Sequence, residues 1–211
     1  MAQVLKEETR QKIVEAAGNE FLEHGCEDSS MRRIAFHCNM TVGNLYRYFK
    51  NKEQLIFSAV FPAYKEIDDL VKELTHGQLS LEETEFHDLT LTGEELKHMI
   101  SRLCSGLLST YQRHRKATQI LMMRSDVNER ITAWFAAVIK ALIASAWSLP
   151  EDDRQLAILS RGYAVSIFSG IREMMITSEN DDDLPRTVEI YLHSFVTLLE
   201  NKDLHITGES L

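Results

Sequence analysis

Apolar residues recur at three- and four-residue steps along most of this 211-residue chain, and only three prolines interrupt them. No stretch shows two-residue alternation bounded by hairpin turns, so backbone N–H and C=O groups are expected to pair within helices rather than between strands. The expected fold class is all-α, with about nine helices. A hydrophobic content of 44% with 26% charged residues gives these helices a core to bury and excludes wholesale disorder. A chain of this length forms one domain or two small ones.

The first helix is expected over residues 8–24, with Ile13, Ala17 and Phe21 on one face and Gly25 as its stop. A second starts after Ser29 or Ser30, whose hydroxyl accepts from the free N–H groups of the first turn, and turns Met31, Ile34 and Ala35 inward. His37-Cys38-Asn39-Met40 breaks the pattern at a tight corner, with Asn39 suited to a left-handed conformation. Thr41 then caps a helix whose Val42, Leu45 and Phe49 point inward and whose Gly43, Asn44, Arg47 and Tyr48 point outward. Residues 52–75 read as a longer helix around Leu55, Val60, Ile67 and Val71, bent at Pro62.

Residues 76–91 are acidic and poorly periodic, which marks a connection. Thr92-Gly93-Glu94-Glu95 is a capping-box pattern opening a helix to residue 112. Helices at 116–123 and 126–147 follow. Ser148-Leu149-Pro150-Glu151 is a second capping box, for a helix reaching residue 177. A loop at 180–183 and Pro185 in a first turn introduce the last helix, to residue 201.

Residues 29–52, SSMRRIAFHCNMTVGNLYRYFKNK, hold five cations and no acid in a chain of formal net charge -9. The cations are Arg32, Arg33, Arg47, Lys50 and Lys52. Residues 1–52 carry eight Lys/Arg and seven Asp/Glu, which leaves 15 and 25 for residues 53–211, so the first part is near +1 and the second near -10. A cationic face on an acidic chain suits a phosphate backbone, because neutralising phosphates releases condensed counterions. The acidic remainder opposes indiscriminate binding.

Helix, tight corner and helix, with small and polar residues at the exposed start of the second helix, is the layout of a helix-turn-helix DNA reader. Gly43 lets the backbone come near base edges, while Arg32, Tyr48, Lys50 and Lys52 reach phosphates and set register without reading sequence. The same pattern also fits a non-catalytic helical protein–protein interaction module whose basic helix docks an acidic partner. A preference among DNA sequences separates the two.

Ile34-Ala35, followed by TVGNLYRYFKNKEQL from Thr41 to Leu55, closely resembles the DNA-binding signature of the tetracycline-repressor (TetR) family. Ile13, Ala16, Ala17, Phe21 and Gly25 fit that family's first-helix pattern. The resemblance covers about the first quarter of the chain. It implies a dimeric all-helical transcription factor, usually a repressor of a palindromic operator, with a three-helix DNA-binding head at 1–52 and a ligand-binding and dimerisation body at 53–211. By position, Thr41, Gly43, Asn44 and Tyr46 fall where the recognition helix meets bases or adjoining phosphates. Ser30, Arg32, Tyr48 and Lys52 fall at backbone contacts, and Val42 and Arg47 complete the set. Two positions depart from the pattern: Asn39 stands where glycine is common, and Val42 where a polar or basic residue is common.

Two apolar stripes, Tyr163, Ile167, Gly170 and Met174 on one helix and Val188, Tyr191, Phe195 and Leu198 on the last, exceed what one small body buries, or else form a purely intramolecular core. The resemblance pairs them with their twofold mates, and Ser166, Ser169 and Gly170 are small enough for close approach. Phe61, Tyr64, Met99, Leu103, Met122, Met123, Trp134 and Phe168 are the candidate lining of an effector pocket, since Met and aromatic side chains make adaptable apolar cavities. Arg102, Arg124 and Arg172 are the candidates for an anionic group on that effector.

The remaining chemistry is bland. Cys26, Cys38 and Cys104 are an odd, unpaired set, and His24 with Cys26, His76 with His87 and His98 with Cys104 lack metal-ligand spacing. No nucleophile elbow, phosphate loop or HExxH motif appears, so neither a cofactor nor catalysis is expected. The opening MAQVLKEETRQK has no apolar signal core, and the apolar run 133–147 contains Lys140 and is too short to span a bilayer. A cytoplasmic protein without membrane partners is expected.

Overall fold

The computed structural model describes residues 2–75, 77, 93–147, 154–177 and 183–200. The connection at 76–91, the two capping boxes, the loop at 180–183 and the Leu198 side chain fall wholly or partly outside them. Among the described residues there are nine helices: α1 Ala2–Asp28, α2 Met31–His37, α3 Val42–Tyr48, α4 Lys52–Leu74, α5 Gly93–Arg113, α6 Arg115–Met123, α7 Ser125–Trp147, α8 Arg154–Thr177 and α9 Leu184–Glu200. The all-α expectation holds, and the periodic segments match the helices in number and order. No helix of the described residues is long and apolar enough to cross a membrane.

The local signals explain the boundaries. Ser30 Oγ accepts from Arg32 N–H and Thr41 Oγ1 from Asn44 N–H, capping α2 and α3. Between them Asn39 takes φ 53°, the Asn39 N–H donates to Phe36 O, and the Met40 N–H donates to Ala35 O. These two bonds and the left-handed residue form a Schellman stop with asparagine in glycine's usual place. Gly25 breaks α1 at φ 78°, a conformation open to glycine at little cost. α1 begins before residue 8 because its first turns are solvated: Leu5 is 69% exposed, so no apolar period marks them.

Two compact units divide the chain. One comprises Met1–Leu70 with Ser109–Asn128, the other Val71–Leu108 with Glu129–Leu211. The first is built on Ile13, Ala17, Phe21, Ile34, Leu45, Phe49 and Leu55, all fully buried; burying one such large side chain is worth about 1.5–3 kcal/mol. Within it α6 packs along α1, with Gly18 of α1 facing Ile120 of α6 and Lys116 Nζ donating to Asn19 Oδ1 at 2.8 Å. Glu66 of α4 accepts from Thr110 Oγ1 (3.1 Å) and Arg113 Nη2 (2.7 Å) and meets His114 Nε2 at 2.9 Å. The Arg113 guanidinium, with His114 and Thr110, holds its carboxyl down at about 2.

In the second unit α8 packs on α9. Leu156, Ala164, Ile167, Phe168, Ile171 and Met175 of α8 are buried, as are Leu184, Val188 and Leu192 of α9. A Cβ at Gly170 would run into the Tyr191 phenol, so a larger residue there would have to displace Tyr191 and its bond to Ser166. Tyr191 Oη passes over the glycine to donate to Ser166 O at 2.8 Å.

Candidate nucleic-acid interface

The basic segment folds into an inner face that builds the head and an outer face that does not. Met31, Ile34, Ala35, Leu45 and Phe49 are buried, which leaves Arg32, Thr41, Gly43, Tyr46 and Arg47 exposed and Ser30, Val42, Asn44, Tyr48 and Lys52 half-buried. All ten residues expected to meet DNA therefore retain solvent-facing surface around α2, α3 and the start of α4. Val42, expected inward, is half-buried. Gly43 is not required by the fold: its φ is not positive, and a Cβ there would meet nothing within 4 Å. Gly43 stands in the first turn of α3, and its bare backbone leaves an exposed surface that the protein's own packing does not need.

The five cations divide by task. Arg33 is used internally: its Nε and Nη2 reach Glu20 Oε1 at 2.6 Å, and Nη2 donates to Asp28 O at 2.7 Å. The same Glu20 oxygen accepts from Ser30 N–H at 2.9 Å, so one buried carboxylate pins α1 to the positive end of α2. Lys52 Nζ donates to Glu27 O (2.6 Å) and Ser29 O (3.2 Å), which ties α4 to the end of α1 while keeping the charge at the surface. Arg32, Arg47 and Lys50 are exposed.

Four residues around the face escaped the sequence reading. Asn51 Oδ1 accepts from Gln54 N–H at 2.8 Å and Gln54 Oε1 from Lys50 N–H at 2.8 Å, a reciprocal cap for α4 that the N-x-x-Q spacing signals. Arg10 lays its guanidinium 4.6 Å from the Phe49 ring centroid and donates to Ser58 Oγ at 3.2 Å; no local pattern announces it, because its partners lie far along the chain. Phe36, 77% exposed, stands one turn from Arg32 on the outer side of α2.

The candidate pocket residues lie in different units. Met99, Leu103, Trp134 and Phe168 are buried in the second. Phe61, Tyr64, Met122 and Met123 belong to the first, where Phe61 and Met123 are 44% and 41% exposed. Of the cationic candidates, Arg102 pairs with Glu73 at 2.6 Å and Arg124 with Asp126 at 3.0 Å. The Trp134 Nε1 and Arg172 Nε donors are buried without an acceptor among the described residues.

Several of the dimer candidates of α8 and α9 are covered within the chain. Ile167 and Val188 are 5% and 1% exposed, while Phe195 packs edge-on against Tyr163 and Tyr191, with ring centroids 6.2 and 5.0 Å apart. Gly170 faces the Tyr191 phenol of its own chain. Met174 is half-buried.

Among the described residues no group of three or more His, Cys, Asp or Glu is placed to hold a metal ion. Burial pushes the Cys104 thiol up to about 12 and raises Cys26 and Cys38 as well, which keeps all three protonated and poorly nucleophilic.

Residues 13–59 match the family described as bacterial regulatory proteins, tetR family. The chain is 28% identical over 134 residues to the protein named "Probable acrEF/envCD operon repressor" of Escherichia coli strain K12, covering 63% of this chain and 54% of that protein. It is 45% identical over 53 residues to an HTH-type transcriptional regulator of Staphylococcus aureus strain bovine RF122 / ET3-1, covering 25% and 29%. The chain thus spans about half the length of the first relative and under a third of the second. Among solved structures it is similar to AibR in complex with isovaleryl coenzyme A and operator DNA, at 19% identity and a TM-score of 0.46, covering 85% of this chain and 95% of that one.

Proposed function

Since this chain belongs to the tetR family of bacterial regulatory proteins, we propose that it is a homodimeric repressor of a palindromic operator, released by a small apolar or amphipathic effector. In this reading residues 1–52 bind DNA, residues 53–211 dimerise and hold the effector, and the protein works in the cytoplasm, where the operator is. The observation that carries DNA reading is Gly43, a helix glycine with no internal reason, set among Thr41, Asn44 and Tyr46 on an exposed face free of acids. Such a face lets α3 enter the major groove, with Arg32, Arg47, Lys50 and Lys52 beside the phosphates.

For the dimer we look to the exposed side of α8. Ile158, Val165 and Ile176 are 65%, 46% and 42% exposed, and Gly162, Ser166 and Ser169 lie open among them. A Cβ on Gly162 would meet nothing within 4 Å, so this second helix glycine also lacks an internal reason and suits a partner's close approach. Tyr163 and Phe195 border that stripe. For the effector, the unpartnered Trp134 and Arg172 donors favour a molecule that brings a hydrogen-bond acceptor into an otherwise apolar interior, because a buried unpaired donor costs about 1–3 kcal/mol. Occupancy would act through α4, which starts in the head and runs on to Leu74.

Binding to operator fragments from the neighbouring DNA tests the reading. The expected result is sequence-preferring binding that weakens steeply with salt. A folded dimer with no preference among DNA sequences at moderate salt would overturn it in favour of an acidic protein partner.

A further inference from the structure

A groove in the first unit has walls from α1, α4 and α6 and a cavity volume of about 550 Å³, within the range of about 300–1,000 Å³ typical of small-molecule sites. Its α4 wall carries Phe57 and Phe61 on successive turns, 51% and 44% exposed, with ring centroids 5.4 Å apart. Phe57 also meets Tyr64 at a centroid distance of 6.3 Å, yet both Phe rings keep about half of their surface in water inside a concavity, an exposed apolar platform. Ile120 of α6 forms part of the opposite side.

The polar groups of the groove favour one sign of charge. Arg10 lines it from α1 and Lys116 from α6, against one acid, Glu15. Each cation spends a single hydrogen bond on the protein, Arg10 on Ser58 and Lys116 on Asn19. A guanidinium has five N–H donors and an ammonium three, so both keep donors for an anion. An aromatic platform with two cations in its lining suits an aromatic ring carrying one carboxylate or sulfonate.

We propose that this α1–α4–α6 groove, which takes Phe61 from the candidate effector lining, is a binding site for a small aromatic anion in the first unit, distinct from the buried Trp134 and Arg172 donors of the second. Its position gives it access to the DNA-facing segment. Arg10 also covers Phe49, and Gln54, another lining residue, holds the Lys50 N–H. An occupant that draws on either residue acts on the chain immediately after the recognition helix.

The test uses full-length protein without DNA and two probes, the anion 1-anilinonaphthalene-8-sulfonate and its neutral relative N-phenyl-1-naphthylamine, read by the Ile120 δ1-methyl NMR resonance. The anion is expected to shift that resonance saturably. Phe61→Ala and Lys116→Glu, each checked for folding by circular dichroism, are each expected to weaken it about tenfold, the scale of one lost charge-assisted or stacking contact. Trp134→Phe, in the other unit, is expected to leave it unchanged. An unmoved Ile120 methyl at millimolar probe, a shift insensitive to both groove substitutions, or equal affinity for the neutral probe would overturn the proposal. Operator binding is measured without either probe, so the two readings fail independently.

Discussion

Tyr46 and Lys52 differ in what their surroundings ask of them. Tyr46 is 48% exposed on the outward side of α3, whereas the Lys52 ammonium is held by the Glu27 and Ser29 carbonyls. Tyr46→Ala is therefore expected to relax or abolish operator preference while changing stability by no more than about 0.5 kcal/mol. Lys52→Ala is expected to weaken binding to all DNA alike, lower the salt slope by about one unit, and cost about 1 kcal/mol from two lost hydrogen bonds. Operator titrations at several salt concentrations with urea melts of both variants check this. A Lys52→Ala slope equal to wild type would confine Lys52 to its bonds within the head. Arg33 shows where residue-level reading stops: its charge was visible in the sequence, but the Glu20 carboxylate that uses it lies 13 residues away.

At the scale of elements, periodicity and caps made the helices legible. Ser30 and Thr41 cap α2 and α3 as their hydroxyls suggest, because an N-cap bond involves residues only two or three apart. Links between elements were less visible. Glu66 joins α4 to the α5–α6 corner through Thr110, Arg113 and His114, and nothing in the local pattern around Glu66 announces partners 44 to 48 residues on. Its carboxyl is lowered to about 2 from an ordinary 4.5. The folded state binds that proton less readily than the unfolded chain, so this contribution to stability is complete above pH about 4.5 and disappears as the pH falls through about 2. Glu66→Gln is expected to be destabilised relative to wild type at pH 7 and to match it near pH 2, in denaturant melts at each pH. A gap that stayed constant from pH 7 to pH 2 would show that Glu66 acts by packing alone.

On the proposed reading, charge and symmetry carry the function of the whole molecule. The acidic remainder would confine attraction for DNA to residues 1–52, and a twofold pair of such heads would have to place two recognition helices about 34–36 Å apart. Val165→Glu on the exposed stripe of α8 is expected to give a folded monomer by sedimentation and to lose most operator affinity, because two half-sites would no longer be held together. An intact dimer would move the contact to another face. The sequence by itself determined the helices, their order, the caps of α2 and α3 and most of the inward and outward positions of residues 1–52, because each rests on a period of 3.6 residues or a bond spanning a few residues. Only the tertiary structure decided which apolar positions of α8 and α9 are covered within the chain, that Gly170 faces Tyr191, and which of the five cations are already engaged. Those outcomes depend on groups far apart in sequence meeting in space, as Tyr191 reaches Ser166 and Lys52 reaches Glu27, and no local pattern encodes a meeting of that kind.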